Sequence, residues 1–245
     1  MIRHAIQRNL RSAQLLFPMV VLAGFGLALF ASPALAQEPP KKSKTPPAAS
    51  KKEAHSIKLF DGKTLNGWKV TNFGGEGEVL VEDGRIVMEM GFSLTGITNQ
   101  SKGLPTTNYE VQLEACRLDG VDFFCTLTFP VKDSHASLVV GGWAGAVVGI
   151  SCIDDKDASQ NETTKYVGFK SDQWYRIRVR VLDKRIQAWI DDKQLVDVNI
   201  DGRKLSTRPE VDLSRPLGIA AWETRSALRN ISLRKLSDKE VAASK

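Results

Sequence analysis

The chain has 245 residues and a formal net charge of +6, and residues 1–56 hold the whole surplus: eight Lys/Arg against two Asp/Glu, leaving 26 of each sign in residues 57–245. A neutral body behind a basic leader offers no electrostatic footprint for nucleic acid. Three cysteines without C-x-x-C spacing, and His135 as the one histidine after residue 56, exclude a zinc ribbon, a dense disulfide framework and a His-rich metal site. No cofactor is indicated.

Arg3, Arg8 and Arg11 precede an uncharged, mostly apolar run over residues 12–30, and Ala34-Leu35-Ala36 supplies the small-x-small pattern of signal peptidase. Residues 1–36 are therefore expected to be a signal peptide, with the mature chain starting at Gln37 in the periplasm or outside the cell. An uncleaved anchor is the alternative, against which Pro18 and Pro33 interrupt a run already short for a bilayer, and no membrane span is expected in the mature chain. Residues 37–56 contain four prolines, five lysines and no large apolar side chain, so they cannot bury enough surface to fold and are expected to form a tether.

From residue 57 to 236 the sequence reads as one all-β domain, with a polar tail over 237–245. Short strands are expected at 78–81, 85–90, 123–129, 136–140 and 147–153, each bounded by Gly, Asp, Asn or Pro. Residues 109–116 alternate Tyr109, Val111, Leu113 and Ala115 with Glu110, Gln112 and Glu114. Residues 175–181 alternate three arginines with Tyr175, Ile177, Val179 and Val181. That period of two predicts one core face and one wet face. Residues 185–190 and 193–198 flank Asp191-Asp192 as a hairpin, and 217–222 with 228–236 form a closing pair. The segment 141–145 is too Gly-rich for a helix and lacks the Lys of a phosphate loop. Placing a turn between Gly120 and Val121 would set Cys116 opposite Cys125 at disulfide distance, whereas burial of two thiols in a β core needs no bond.

Leu59-Phe60-Asp61-Gly62-Lys63-Thr64-Leu65-Asn66-Gly67-Trp68 resembles the opening L-F-N/D-G-K-x-L-x-G-W of the 3-keto-disaccharide hydrolase domain family, a family abundant in exported proteins of planctomycetes and Bacteroidetes. The stretch 108–114 resembles the family's F-E-L-x-x-E strand, and 217–222 with 228–233 resembles its closing blocks. The resemblance covers about 175 residues and implies a concanavalin- or laminin-G-like jelly-roll sandwich of two antiparallel sheets. Three blocks depart from the pattern, the closing one by Trp222 in place of its usual Gln and a loop to Arg229 shorter by about two residues. The family's N-S-G strand is replaced by residues 121–125. In the G-Y-E-x-Q-x-L-D block only Asp154 is kept, with Gly149 and Ser151 at the Glu and Gln positions.

The activity that the resemblance implies is hydrolysis of 3-keto-glycosides. The ketone acidifies the C2 proton, a base removes it, and the glycosidic oxygen leaves C1. With one histidine in the domain, the candidates for acid and base are carboxylates beside aromatic or Gly-rich segments. Glu223, between Trp222 and Arg225, comes first, either as a catalytic group or as a surface partner of Arg225. Asp122 follows, with turn chemistry as its plain explanation. Asp154 begins an acidic loop that either is solvated or offers oxygen ligands to Ca²⁺. Trp143, flanked by Gly142 and Ala144, suits a sugar-stacking platform; Trp222, Arg225 and Glu114 complete the candidate carbohydrate site. A non-catalytic sugar-binding or scaffolding domain on the same fold is the alternative function.

Overall fold

The computed structural model describes residues 56–244; the signal peptide and nearly all of the tether expected from the sequence lie outside them. The first strands are β1 (Ser56–Lys58), β2 (Trp68–Val70), β3 (Val79–Glu82), β4 (Arg85–Met88) and β5 (Leu94–Asn99). The centre of the chain supplies β6 (Tyr109–Gly120), β7 (Cys125–Val131), β8 (Ser134–Gly141), β9 (Val147–Ser151) and β10 (Lys165–Tyr166). The rest supplies β11 (Trp174–Val181), β12 (Arg185–Ile190), β13 (Lys193–Asn199), β14 (Gly218–Trp222) and β15 (Thr224–Lys235). They form two antiparallel sheets. Sheet A runs β13-β12-β11-β6-β15-β4-β3, with β1 also on β15, and sheet B runs β10-β9-β8-β7-β14-β5-β2. The two pack face to face as a jelly-roll sandwich.

Alternation decides which residues meet between the sheets. Tyr109, Val111, Leu113 and Ala115 of β6 and Ile177, Val179 and Val181 of β11 join Leu127 and Phe129 of β7, Leu138 and Val140 of β8, and Ile219 and Ala221 of β14 in one buried core. The opening motif closes one end of it. The Asp61 carboxylate accepts the Lys63 and Thr64 amides at 2.7 and 2.8 Å, and buried Trp68 donates its Nε1–H to the Leu59 carbonyl at 2.7 Å. The motif thus carries the chain from sheet A to sheet B between β1 and β2.

Several expectations are corrected. The stretches 217–222 and 228–236 do not pair: β14 belongs to sheet B and β15 to sheet A, joined by a corner at Glu223, whose φ is +40°. No hairpin sets Cys116 opposite Cys125 either. After Gly120 the chain crosses between sheets, and the three cysteines are free and buried, Cys116 in sheet A and Cys125 in sheet B. The face of β6 expected to be wet is not fully so. Glu110 is 6% exposed and receives Arg178, Arg180 and Arg234, because a short helix in the tail, Asp238–Ala243, bonds Arg234 through Glu240 at 2.9 Å and is followed by Ser244, which bonds Arg180 at 3.2 Å.

That helix has a capping box: the Ser237 side chain accepts the Glu240 amide, and the Glu240 carboxylate accepts the Ser237 amide at 2.9 Å. Burial opposes the charge on Glu240, but bonds from the Ser237 amide and hydroxyl and from Arg234 outweigh it and lower its pKa from 4.5 to about 2. A lowered folded-state value means that the charged carboxylate stabilises the tail fully above about pH 4.5, and that this contribution is lost as pH falls through about 2. An NMR titration of the Glu240 side chain should give a midpoint near 2; one near 4.5 would show the cap to be unformed in solution.

Candidate functional site

The outward side chains of sheet B follow from the same alternation. With Cys125, Leu127, Leu138, Val140 and Ile150 turned into the core, Thr126 of β7, Ser137 and Val139 of β8 and Ser151 of β9 face outward, where they line a pocket of about 190 Å³. Its other lining residues are Asp122 and Phe123 on the crossover before β7, Trp143, Trp222 at the end of β14, and Arg208, Glu210 and Val211 around the 3-10 turn Pro209–Ser214. The floor is hydroxyl-rich. Ser137 Oγ pairs with Thr128 Oγ1 at 2.8 Å and Ser151 Oγ lies 3.4 Å from Cys152 Sγ. Thr126 Oγ1 is buried with no partner among the described residues.

Trp143 stands on a tight turn, Gly142–Gly145, that is helical in its closing bond, Ala146 N–H to Gly142 C=O at 3.1 Å, but not in its dihedrals: Trp143 and Ala144 have φ of +48° and +62°. Asp122 clamps this turn. Its Oδ1 accepts the Phe123 amide at 2.7 Å and its Oδ2 the Ala144 amide at 3.3 Å. From beneath, the buried Arg117 guanidinium comes so close that a Cβ on Gly145 would lie 2.9 Å from Nη1, while Arg117 Nη2 bonds the Phe169 carbonyl at 2.7 Å. The indole of Trp143, 42% exposed, is therefore presented on a fixed support.

Charge at the other lining segment is internally compensated. Arg208 bonds Glu210 at 2.8 Å and Asp157 at 2.9 Å; the bond to Glu210 raises the arginine's pKa, and Arg208 lowers that of Glu210. Asp154 faces Arg203 and the Lys204 amide, and Asp155 faces Lys204. The carboxylates weighed as Ca²⁺ ligands are thus met by cations.

Of the residues singled out from sequence, the structure brings Asp122, Trp143 and Trp222 together in the pocket. Glu223 is outside the lining, exposed on the corner after Trp222, with its amide donating to the Ser93 carbonyl at 2.8 Å. Arg225 lies in sheet A and pairs with Glu89 at 2.8 Å rather than with Glu223. Glu114 lies on the outer face of sheet A, the opposite side of the sandwich from the pocket. Burial opposes its charge, but Arg229 at 2.7 Å and Asn230 at 3.1 Å lower its pKa overall. Thr126, Ser137, Ser151, Arg208 and Glu210 were not foreseen. Strand alternation points the first three outward, but nothing in residues 207–211 marks them as pocket-forming.

The sequence profile of the 3-keto-alpha-glucoside-1,2-lyase-like domain matches residues 55–234. The chain belongs to this family. No curated protein matches it in sequence. Among solved structures it is similar to the carbohydrate binding module CBM66 from Bacillus subtilis, at 13% identity over 69% of this chain and 96% of that one, with a TM-score of 0.48. It is also similar to a putative glycosyl hydrolase from Parabacteroides distasonis, at 15% identity over 74% and 94% with a TM-score of 0.47, and to the Crh5 transglycosylase in complex with NAG, at 10% identity over 76% and 84% with a TM-score of 0.51. At these identities the likeness is one of fold.

Family membership makes the two departures in β9 informative. Ser151, where the resemblance would place a Gln, is on the pocket floor. Gly149, where the resemblance would place a Glu, is roofed by the loop after β9: a Cβ there would lie 2.8 Å from the Ala158 carbonyl and 3.1 Å from Thr163 Oγ1. That threonine is itself fixed, accepting the Ile150 amide at 2.8 Å and donating to Asn161 at 2.6 Å. The loop thus fills the space that a family carboxylate would need.

Proposed function

We propose that this domain recognises carbohydrate for an exported protein, holding one sugar ring in the pocket on the outer face of sheet B. The observation that carries the reading is the pairing of two tryptophans, Trp143 and Trp222, over a floor of hydroxyl-bearing residues, Thr126, Ser137 and Ser151, in one pocket. The indoles would cover the apolar face of a sugar ring while its hydroxyls face the polar part of the lining. The pocket, at about 190 Å³, is smaller than the ~300–1,000 Å³ of drug-sized ligand sites, which suits a single ring. Export rests on the basic and apolar leader followed by Ala34-Leu35-Ala36. Trp143→Ala and Trp222→Ala should each weaken glycan binding about 10-fold in calorimetry; two variants that bind as wild type would move the site elsewhere.

Family membership favours a second reading, in which the pocket turns over 3-keto-glycosides. Asp122 takes the C2 proton, its electron pair forms the C1–C2 double bond, and the C1–O bond breaks. The departing oxygen gains a proton from Glu223 or water, and addition of water across the double bond completes hydrolysis. Asp122 is the one carboxylate in the lining that faces no cation. Purified protein incubated with a 3-keto-disaccharide would release reducing sugar, and Asp122→Asn and Glu223→Gln would each lower turnover by about 10²-fold. Binding without turnover rejects this second reading and leaves the first.

A further inference from the structure

We infer that the sugar ring held in the pocket carries a protonated amine, so that the ligand is an amino sugar with its amine free; this rests on the sugar-binding reading above. The charges around the pocket are unequal. Arg208 is the one cation in the lining, and two carboxylates already hold it, Glu210 at 2.8 Å and Asp157 at 2.9 Å. Asp122 forms no ion pair among the described residues. The buried Arg117 guanidinium lies beneath the Trp143 turn and bonds the Phe169 carbonyl instead, at 2.7 Å. The Asp122 carboxylate accepts two backbone amides, Phe123 at 2.7 Å and Ala144 at 3.3 Å. A carboxylate offers about four lone-pair sites, so acceptor capacity remains for a ligand. A half-buried charge in a cleft is screened less than one on open surface and favours a ligand of opposite sign.

Aromatic rings share the lining with this carboxylate. Phe123 follows Asp122 directly, and its ring packs against Trp222 with centroids 6.3 Å apart and planes tilted by 48°. The Trp222 amide donates to the Phe123 carbonyl at 3.0 Å, which holds the two residues together. Through its second oxygen Asp122 also holds the amide of Ala144, the neighbour of Trp143. A Cβ on Gly142, at the base of that turn, would lie 3.9 Å from Phe123 Cδ1 and 4.0 Å from Asp122 Oδ1, so ring edge and carboxylate flank one point. Phe123, Trp143 and Trp222 all line the pocket with Asp122. An ammonium is attracted by aromatic faces and by a carboxylate alike. A hydroxyl in its place gains less from either, and an N-acetyl group removes the charge while adding bulk in a pocket of about 190 Å³.

The test measures, by calorimetry, the methyl glycosides of glucosamine, galactosamine and mannosamine against those of their N-acetylated forms and of glucose, galactose and mannose. It is run at about pH 6, between the ordinary pKa of a carboxylate and that of an amine. In wild type at least one amine should bind about 10-fold more tightly than its N-acetylated and hydroxyl counterparts, and the preference should shrink as salt is raised. Asp122→Asn keeps an oxygen for the Phe123 amide but carries no charge, so it should bring that amine down to the affinity of its counterparts. The ratio of amine to N-acetyl affinity reads the charge alone, because damage to the Trp143 turn weakens every form alike, and the salt dependence of wild type needs no variant. Equal affinity for the amines and their counterparts, or a preference that survives Asp122→Asn, overturns the amine and leaves the pocket standing. Absence of binding to every glycoside overturns the pocket reading and this inference together.

Discussion

Phe124→Ala is expected to lower stability by about 3–5 kcal/mol and the melting temperature by roughly 10 °C, with glycan affinity falling alongside. Phe124 is fully buried, edge-on to Phe169 at 5.2 Å, 6.0 Å from Tyr175, and 5.7 Å from the guanidinium carbon of Arg117. It packs at the crossover between the sheets, where its loss opens a cavity among Phe169, Tyr175 and Arg117. The same ring supports the start of the Trp143 turn: Gly141, at φ +79°, sits where a Cβ would lie 3.1 Å from the ring edge. Removing the ring frees Arg117 and the turn together, so the Trp143 indole loses its fixed position. Urea unfolding measures the first effect and calorimetry with the bound glycan the second. A stability loss under about 1 kcal/mol would show that the crossover repacks freely. Phe124→Leu, which keeps most of the volume, should retain the larger part of both.

What the sequence made legible was whatever a period of two can express. The alternation in residues 109–116 and 175–181 identifies β6 and β11 and their core face, and the Asp191-Asp192 hairpin forms between the expected strands, with Ile190 opposite Lys193. Sheet membership was not legible, because alternation within a strand says nothing about its partner. That is why 217–222 and 228–236 looked like a pair, although the left-handed residue Glu223 turns the chain from one sheet to the other. The same limit produced the Cys116–Cys125 expectation. Glu110 looked solvated because Gln112 and Glu114, which share its face of the strand, are polar; its burial comes from arginines on β11 and β15 and from a helix more than a hundred residues away. In the candidate site, Trp143 was visible beside Gly142, Asp122 after the Asp119-Gly120 turn, and Trp222 beside Glu223 in the closing block. The hydroxyl floor was not, since Thr126, Ser137 and Ser151 come from three strands and mean nothing singly.

Gly149→Glu, which supplies the residue type that the resemblance implies in β9, should not create an active site; it should instead destabilise the domain by about 3 kcal/mol or more. Overpacking alone typically costs ~1–3 kcal/mol, and a carboxylate without a cation or a full set of donors adds a desolvation penalty. Here the new Cβ would be 2.8 Å from a backbone carbonyl, which cannot swing aside as a flexible side chain can. The loop bearing that carbonyl is tied down by Asn161, whose amide nitrogen donates to the Ile150, Lys156 and Asp157 carbonyls at 2.8, 3.1 and 2.8 Å. The loop is also joined to the pocket through Asp157 and Arg208, so any shift that admits the glutamate moves a residue of the lining. Ser151→Gln is the contrasting change. Ser151 is buried at the pocket floor, so the longer side chain should lower glycan affinity by displacing the floor. If Gly149→Glu were as stable as wild type and released reducing sugar from a 3-keto-disaccharide, the loop would be displaceable and the domain one substitution away from the family's chemistry.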